Sequence, residues 1–467
     1  MADYREPVGS EMSWLVTRLR RHVSELLRLS VPIIISRSGL VILITVDTIM
    51  VGHFSATELA YQSIGMALTL PVLLISMGMI LGTIVLSANH FGNGAYEECG
   101  AVWRRAVPYA SVLGLLALIL CLFGPFWLTL SGQSEELAAG GGNVMRVLGW
   151  GLPAHLVFLA TAFFLDGIRR PKPAMVLMIA ANVLNAGLNW AFIQGEAGFS
   201  VGGAEGAAWA TTIARWFMAI GGVVFVWTMR DHEKFGIRRN PTGGWKTWAR
   251  LRVLGYGTGI AIGVETVSFG ILNVFAGWLG EDALGAYSIT LNLLSIVFMI
   301  AIGVGSASAV RVGIAYGRRD FRDLALAGWS GLGVNTLAMM AAGTVFILFP
   351  GWLGGLYTAD ENVLALVVPP IRLCGVVMLA DGGQAVMANV LRGRQDVWVP
   401  SGMQTVSFFI VMLPVAWFLA FAAGHGVLGL FEAIFTGAVV SLTLLSIRFV
   451  YLTRSDGRAI SGGGSAS

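Results

Sequence analysis

Four carboxylates stand inside long apolar runs of this 467-residue chain. Asp47 lies in "ILITVDTIMVGHF", Glu265 in "GIAIGVETVSFG", Asp381 in "VMLADGGQAV" and Glu432 in "GLFEAIFTG". A carboxylate left charged against hydrocarbon costs about 2.5–3.5 kcal/mol, so such groups face the interior of a bundle and mark ion or proton routes. Two chemistries are open to them: they can exchange a proton, or their oxygens can coordinate a hard cation such as sodium. The plainer role is a hydrogen bond to a neighbouring helix, and Glu432, near a span end, suits it best of the four. Asn185 and Asn189, in "NVLNAGLNW", are four apart and share a helical face, which fits a joint hydrogen-bonding site or helix–helix contact. Asn273 and Asn292 are weaker candidates for the same cavity. Arg37, Arg215 and Arg372 also fall within apolar runs, where they can pair with the acids or snorkel to an interface; Arg372 suits the latter.

Other chemistries lack their residues. There is no G-x-x-x-x-G-K-[ST], no H-E-x-x-H and no G-x-S-x-G, so neither P-loop hydrolysis nor these metal- and serine-based reactions are expected. The glycines of "LGYGTGIAIG" sit in an apolar helix, where close packing explains them better than a nucleotide. His155 falls mid-span and reads as a packed residue. The three cysteines, Cys99, Cys121 and Cys374, show no metal-binding spacing. The chain reads as a non-enzyme without a cofactor.

The elements that must position the acids are membrane helices. Hydrophobic residues make up 56% of the chain and charged ones 12%, against about 25% charged in a soluble protein, and the mean hydropathy is +0.76. Runs of about 20 apolar residues recur throughout. Twelve spans are expected, centred near residues 41, 74, 117, 155, 184, 217, 266, 299, 338, 378, 409 and 440. Basic residues cluster in alternate loops, with seven Lys or Arg between Arg230 and Arg252, while Glu58, Glu135, Glu136, Glu281, Asp282 and Asp360 occupy the others. That asymmetry places both termini in the cytoplasm. It also accounts for the pI near 9.1 without nucleic acid as a partner. No cleavable leader is expected ahead of the first span.

An offset of 225 residues aligns the chain with itself. Ten of 41 positions between Gly52 and Gly92 are identical at that shift, Gly78/Gly303 and Gly92/Gly317 among them, where composition alone gives about four. An even number of spans separates the copies, so they share one orientation and are related by an axis along the membrane normal. The expected fold is an all-α membrane protein of twelve transmembrane helices in two six-helix lobes, built on an internal parallel repeat. Its parts are an amphipathic N-terminal segment over residues 1–28, carrying Met12, Leu15, Val16, Leu19, Val23 and Leu26 on one face, and an N-lobe over 29–229. A cytoplasmic linker over 230–250, a C-lobe over 251–453 and a flexible tail over 454–467 follow.

Several stretches resemble the MATE multidrug and toxic compound extrusion family. "VDTIMVGHFSATELAYQSIGMAL" resembles its first-helix signature and "GTIVLSANHFGNG" the end of its second helix. "FFLDGIRRPKPAMVLMIAANVLNAGLNW" resembles its fourth-to-fifth-helix segment, and "NVLRGRQDVWVP" the C-terminal copy. The resemblance covers roughly residues 26 to 453 and is specific as an ordered set. Glu265 and Asp381 match the helix-seven glutamate and helix-ten aspartate of the NorM-like branch. Asn189 stands where the DinF-like branch usually has an aspartate, which places an N-lobe proton site built on that acid in doubt. The resemblance implies alternating-access antiport of amphipathic organic cations against Na+ or H+, with Na+ favoured by the branch. It places Asp47 in an N-lobe cavity, to which their spacing adds Asn185 and Asn189 as candidates, and a cation on Glu265 and Asp381, including their spatial proximity. The expected setting is a monomer in the bacterial inner membrane. The competing reading is a lipid-linked oligosaccharide flippase of the wider superfamily, which needs a cationic cavity; Arg37 and Arg215 favour it and the acids oppose it.

Overall fold

A computed structural model describes residues 8–463 except 197, 199, 240–244 and 359, and the side chains within that range outside 8–17, 245 and 457–463. Twelve helices are long and apolar enough to cross a membrane. They are α1 (Arg18–Phe54), α2 (Ala56–Gly92), α3 (Tyr96–Leu122), α4 (Glu135–Gly167), α5 (Lys172–Gln194) and α6 (Gly203–Thr228) in the first lobe. The second holds α7 (Lys246–Trp278), α8 (Glu281–Gly317), α9 (Phe321–Leu348), α10 (Glu361–Gly393), α11 (Trp398–Ala422) and α12 (Gly426–Asp456). Each expected span centre falls inside one of these helices.

Three expected boundaries differ. The amphipathic segment is not a separate element: one helix runs from Val8 to Phe54, and His22 and Leu26 are buried between neighbours rather than laid on a surface, while Leu19 is exposed. Met12, Leu15 and Val16 belong to side chains outside the described set. The first part of the linker folds onto the N-lobe, where Phe235 is buried against Tyr96 and Phe164, and Arg170 and Arg239 pair with Asp231 and Glu97. The last helix continues to Gly463, and Asp456 on it pairs with Arg394, so the tail begins later than residue 454. Residues 464–467 lie outside the described residues. Helix continuity explains the first and the last, because an amphipathic or charged stretch joined to a span loses less backbone hydrogen bonding by continuing than by breaking, whereas burial of Phe235 and the two ion pairs hold the linker turns on the N-lobe.

The repeat is visible in the packing. α1 packs on α8 as α7 packs on α2, and the lower parts of α2 and α8 cross each other. Glycines sit at these crossings in matched pairs: Gly78 meets Gly259, while Gly303, at the repeat position of Gly78, meets Ile34, at the repeat position of Gly259. Gly94 and Arg319, also 225 apart, both take left-handed backbone in the tight turns that follow α2 and α8. Only small residues let two helix backbones approach this closely.

The lobes are joined on one face. Among the described residues, hydrogen bonds and ion pairs between them lie in the halves that hold the start of α1 and the end of α12, here the terminal face, where Asn89 of α2 donates to the Gly393 carbonyl and accepts from Gln395. On the same face, Arg311 of α8 pairs with Glu25 of α1. The molecule is therefore held shut at the terminal face.

Candidate functional site

The N-lobe site is a closed ring of four side chains. Asp47, 2% exposed, projects from the middle of α1. Its Oδ1 accepts from Asn189 Nδ2 at 2.6 Å and its Oδ2 from Thr211 Oγ1 at 2.5 Å. Asn189 Nδ2 also donates to Asn185 Oδ1 at 3.3 Å, and Asn185 Nδ2 to Thr211 Oγ1 at 3.2 Å, which closes the circuit. The i, i+4 spacing on α5 delivers both asparagines to one face. The same spacing on α6 puts Arg215 one turn beyond Thr211, within electrostatic reach of Asp47. Arg215 is itself anchored by the Leu148 carbonyl at 3.3 Å. One polar atom stays unused: the buried Asn189 Oδ1 has no hydrogen-bond partner. A carboxylate, an amide oxygen and a hydroxyl around one point make a set of hard oxygen ligands.

In the C-lobe, Glu265 on α7 and Asp381 on α10 are within electrostatic reach of each other, although their helices do not pack side by side. A buried polar chain leads away from Asp381. Gln384 Nε2 approaches Asp381 Oδ1 at 3.4 Å, Gln404 Nε2 donates to Gln384 Oε1 at 3.1 Å, and Arg392 donates to Gln404 Oε1 at 3.3 Å. Ser441 of α12 also reaches Gln384, at 3.4 Å. Glu265 has no hydrogen-bond partner among the described residues and faces a cavity of about 80 Å³ between the lobes. Arg37, Phe163, Phe298, Gln384 and Arg392 share that cavity. At this size it holds water rather than a drug-sized ligand, which fills about 300–1,000 Å³.

The cavity is not purely acidic, as three mid-span carboxylates on their own would make it. Arg37 and Arg392 both line it. Arg37 is held by Asp166 at 3.3 Å and lies 4.6 Å over the Phe163 ring. Asp166 is a further interior acid that hydropathy hid, because it stands at the end of its helix next to a basic loop. Thr211 carries no sequence signal of its own, whereas Gln384, Gln404 and Arg392 are polar residues within apolar spans, the signal that marked the asparagines. The remaining candidates lie elsewhere. Glu432 pairs with the exposed His425 at 2.7 Å on the far face, and Asn273 and Asn292 are exposed, the latter accepting from Tyr357 at 2.9 Å. Arg372 is exposed near its helix's outer part. His155 is buried against Phe158 with both ring nitrogens unpartnered. Among the described residues no three His, Cys, Asp or Glu side chains converge as a metal centre.

Comparison with known proteins settles the family. The MatE family model matches residues 32–191 and again 258–418, once in each lobe. The chain belongs to the MatE family. This MatE protein is 35% identical over 436 residues, 93% of each chain, to a "Probable multidrug resistance protein NorM" of Caulobacter vibrioides. It is 29% identical, over 96% of each chain, to another of that name from Brucella suis. The solved structure of a eukaryotic MATE transporter, AtDTX14, superposes with a TM-score of 0.86 at 18% identity, covering 95% of this chain and all of that one. An outward-facing multidrug resistance MATE transporter also superposes at 0.86, with 17% identity, 94% of this chain and 97% of that one. These likenesses place the fold, and with the double family match they make this MatE protein a multi-pass membrane transporter rather than an enzyme.

Proposed function

We propose that this protein is a secondary antiporter that exports amphipathic, mostly cationic organic compounds, drugs and dyes among them, in exchange for inward Na+ or H+. One observation carries the reading: Asp166, Asp47 and Glu265 are each within reach of one interior guanidinium, Arg37, Arg215 and Arg392 in turn, while Asp381 meets only Gln384 among the described residues, which leaves one carboxylate in excess when all are ionised. An interior with that balance takes up one monovalent cation, whether drug, sodium or proton. Relatives named as multidrug resistance proteins support the substrate class.

Sodium is the favoured coupling ion, with Glu265 and Asp381 as its charged ligands and neutral oxygens of the kind supplied by Gln384 completing the shell. The Asp47 ring is the second cation site and the first suspect for proton coupling. With the termini in the cytoplasm of a bacterial inner-membrane protein, the closed terminal face makes this conformation outward-facing. Na+ or H+ entering from outside neutralises the carboxylates, the bound organic cation leaves, and the lobes rock. A ligand shifts that equilibrium only by its differential affinity for the two states. A lipid-linked oligosaccharide flippase fits less well, because Arg37 is already matched by Asp166.

The test is ethidium transport in liposomes holding the purified monomer, with membrane potential clamped. Transport driven by a sodium gradient at fixed pH supports sodium antiport, and transport driven only by a proton gradient moves coupling to carboxylate protonation. Movement under neither gradient overturns the reading.

A further inference from the structure

A second polar cavity lies where the terminal ends of the lobes meet, well away from the carboxylate sites. It has room for about 30 Å³ and is lined by Arg18, Arg21, His22 and Glu25 of α1, Arg169 of the turn before α5, Arg311 of α8 with Arg318 just beyond its end, and Asp323 of α9. Five guanidiniums therefore converge on two carboxylates. Glu25 takes Arg21 at 3.0 Å, Arg169 at 3.3 Å and Arg311. Asp323 takes Arg318 at 2.6 Å, Arg18 at 3.4 Å and His22 Nε2 at 2.9 Å. Asp320, outside the cavity, adds one weak partner, 3.7 Å from Arg18. His22 brings no compensating charge. Its Nδ1 faces an Arg311 N–H at 2.7 Å, and since a guanidinium only donates, that nitrogen serves as an acceptor.

The donors are in excess. Five guanidiniums face two carboxylates, so the lining carries more positive than negative charge. The shortfall shows at the centre: the Arg311 side chain is 9% exposed, and its Nε is buried with no hydrogen-bond partner. A buried donor left unpaired costs about 1–3 kcal/mol, so the site is incomplete as it stands.

We propose that this cavity binds a phosphate group and that the bound anion locks the terminal face shut. A tetrahedral oxyanion with several acceptor oxygens matches converging guanidinium forks. A cavity of this size takes a few waters or one such group, not an organic molecule. Leu19, Val23 and Leu27 form an open apolar face on the same stretch of α1, where the chains of a phospholipid can lie while its phosphate enters. Basic pockets between spans are where anionic head groups bind. A free phosphate ion offers the same chemistry without the chains. Because Arg18, Arg21 and Arg169 come from one lobe and Arg311 and Arg318 from the other, separating the lobes divides the site. The anion binds the closed face better and shifts the equilibrium toward it.

The test is native mass spectrometry of the full chain with phosphatidylglycerol, with phosphatidylcholine, or with inorganic phosphate. Arg21→Gln with Arg318→Gln, both exposed positions, should weaken one retained phosphatidylglycerol about tenfold and leave phosphatidylcholine unaffected. Lys172→Gln with Arg322→Gln, exposed at the same ends of the spans, removes the same charge outside the cavity and should leave retention unchanged. If inorganic phosphate displaces the lipid, or binds where the lipid does not, the site is a phosphate site whose natural source is soluble. Equal retention by both double variants, or equal loss in both with no phosphate binding, overturns the proposal.

Discussion

Gly92 and Gly317 face each other's helices in reciprocal contacts. A β-carbon on Gly92 would stand 2.1 Å from the Ile314 carbonyl oxygen, and one on Gly317 would stand 2.1 Å from that of Asn89. Both pairs are 225 residues apart, so one ancestral contact is used twice, across the pseudo-two-fold axis that relates the lobes.

That contact sets a limit on the closed face. Gly92→Ala or Gly317→Ala forces two backbones apart, and overpacking of this kind costs about 1–3 kcal/mol. The terminal face should then spend more time open, which spin-label distances between α2 and α8 will report as lengthening. Unchanged distances would show that the lobes tolerate the added methyl and that this contact does not limit the closed face.

The Asp47 ring predicts a graded series. Thr211→Val removes the hydrogen bond to the buried Asp47 carboxylate, worth about 1.5–3 kcal/mol, and the one from Asn185, without changing volume much. Asp47→Asn removes the charge and leaves Arg215 without its compensating acid. Thermal unfolding of Thr211→Val should fall while ethidium transport persists at reduced rate, and Asp47→Asn should stop transport. A Thr211→Val protein as stable as the parent sinks the ring as a structural unit.

Glu265→Gln and Asp381→Asn should each abolish coupled export and leave the protein folded, as judged by its unfolding temperature. Arg392→Gln, which cuts the polar chain to Gln404 and removes a cavity charge, should alter the sodium concentration for half-maximal transport. Full transport by either carboxylate variant would remove the C-lobe from the coupling mechanism.

Glu432→Gln should change transport by less than about twofold. Its partner His425 is exposed, and exposed pairs contribute only about 0–1 kcal/mol. Loss of export in this variant would bring the far rim into the pathway.

Much of this molecule is legible in its residues taken in order. The twelve spans follow from hydropathy, the shared orientation of the lobes from the repeat, and the interior placement of Asp47 and Asp381 from the cost of charge in hydrocarbon. These are properties of single segments, so local composition decides them. The joint use of Asn185 and Asn189 is likewise a one-helix property, read from a four-residue spacing. The pairing of Glu265 with Asp381 came from family resemblance, because no spacing places α7 near α10.

Tertiary structure alone decided the rest. Thr211 reaches Asp47 across 164 residues, Gln404 meets Gln384 from another helix, and Asp166 matches Arg37 from the far end of its span. Threonine is common in apolar helices, and a lone glutamine there does not name its partner, so neither shows what it meets until packing turns it toward a neighbour. The same holds for the α1 extension. Its residues read as a surface helix, yet continuity with the span carries Arg18, His22 and Glu25 into the seam between the lobes. Sequence period fixes which residues share a face, but the face's neighbour is chosen by helix rotation and crossing, which depend on every packed side chain at once.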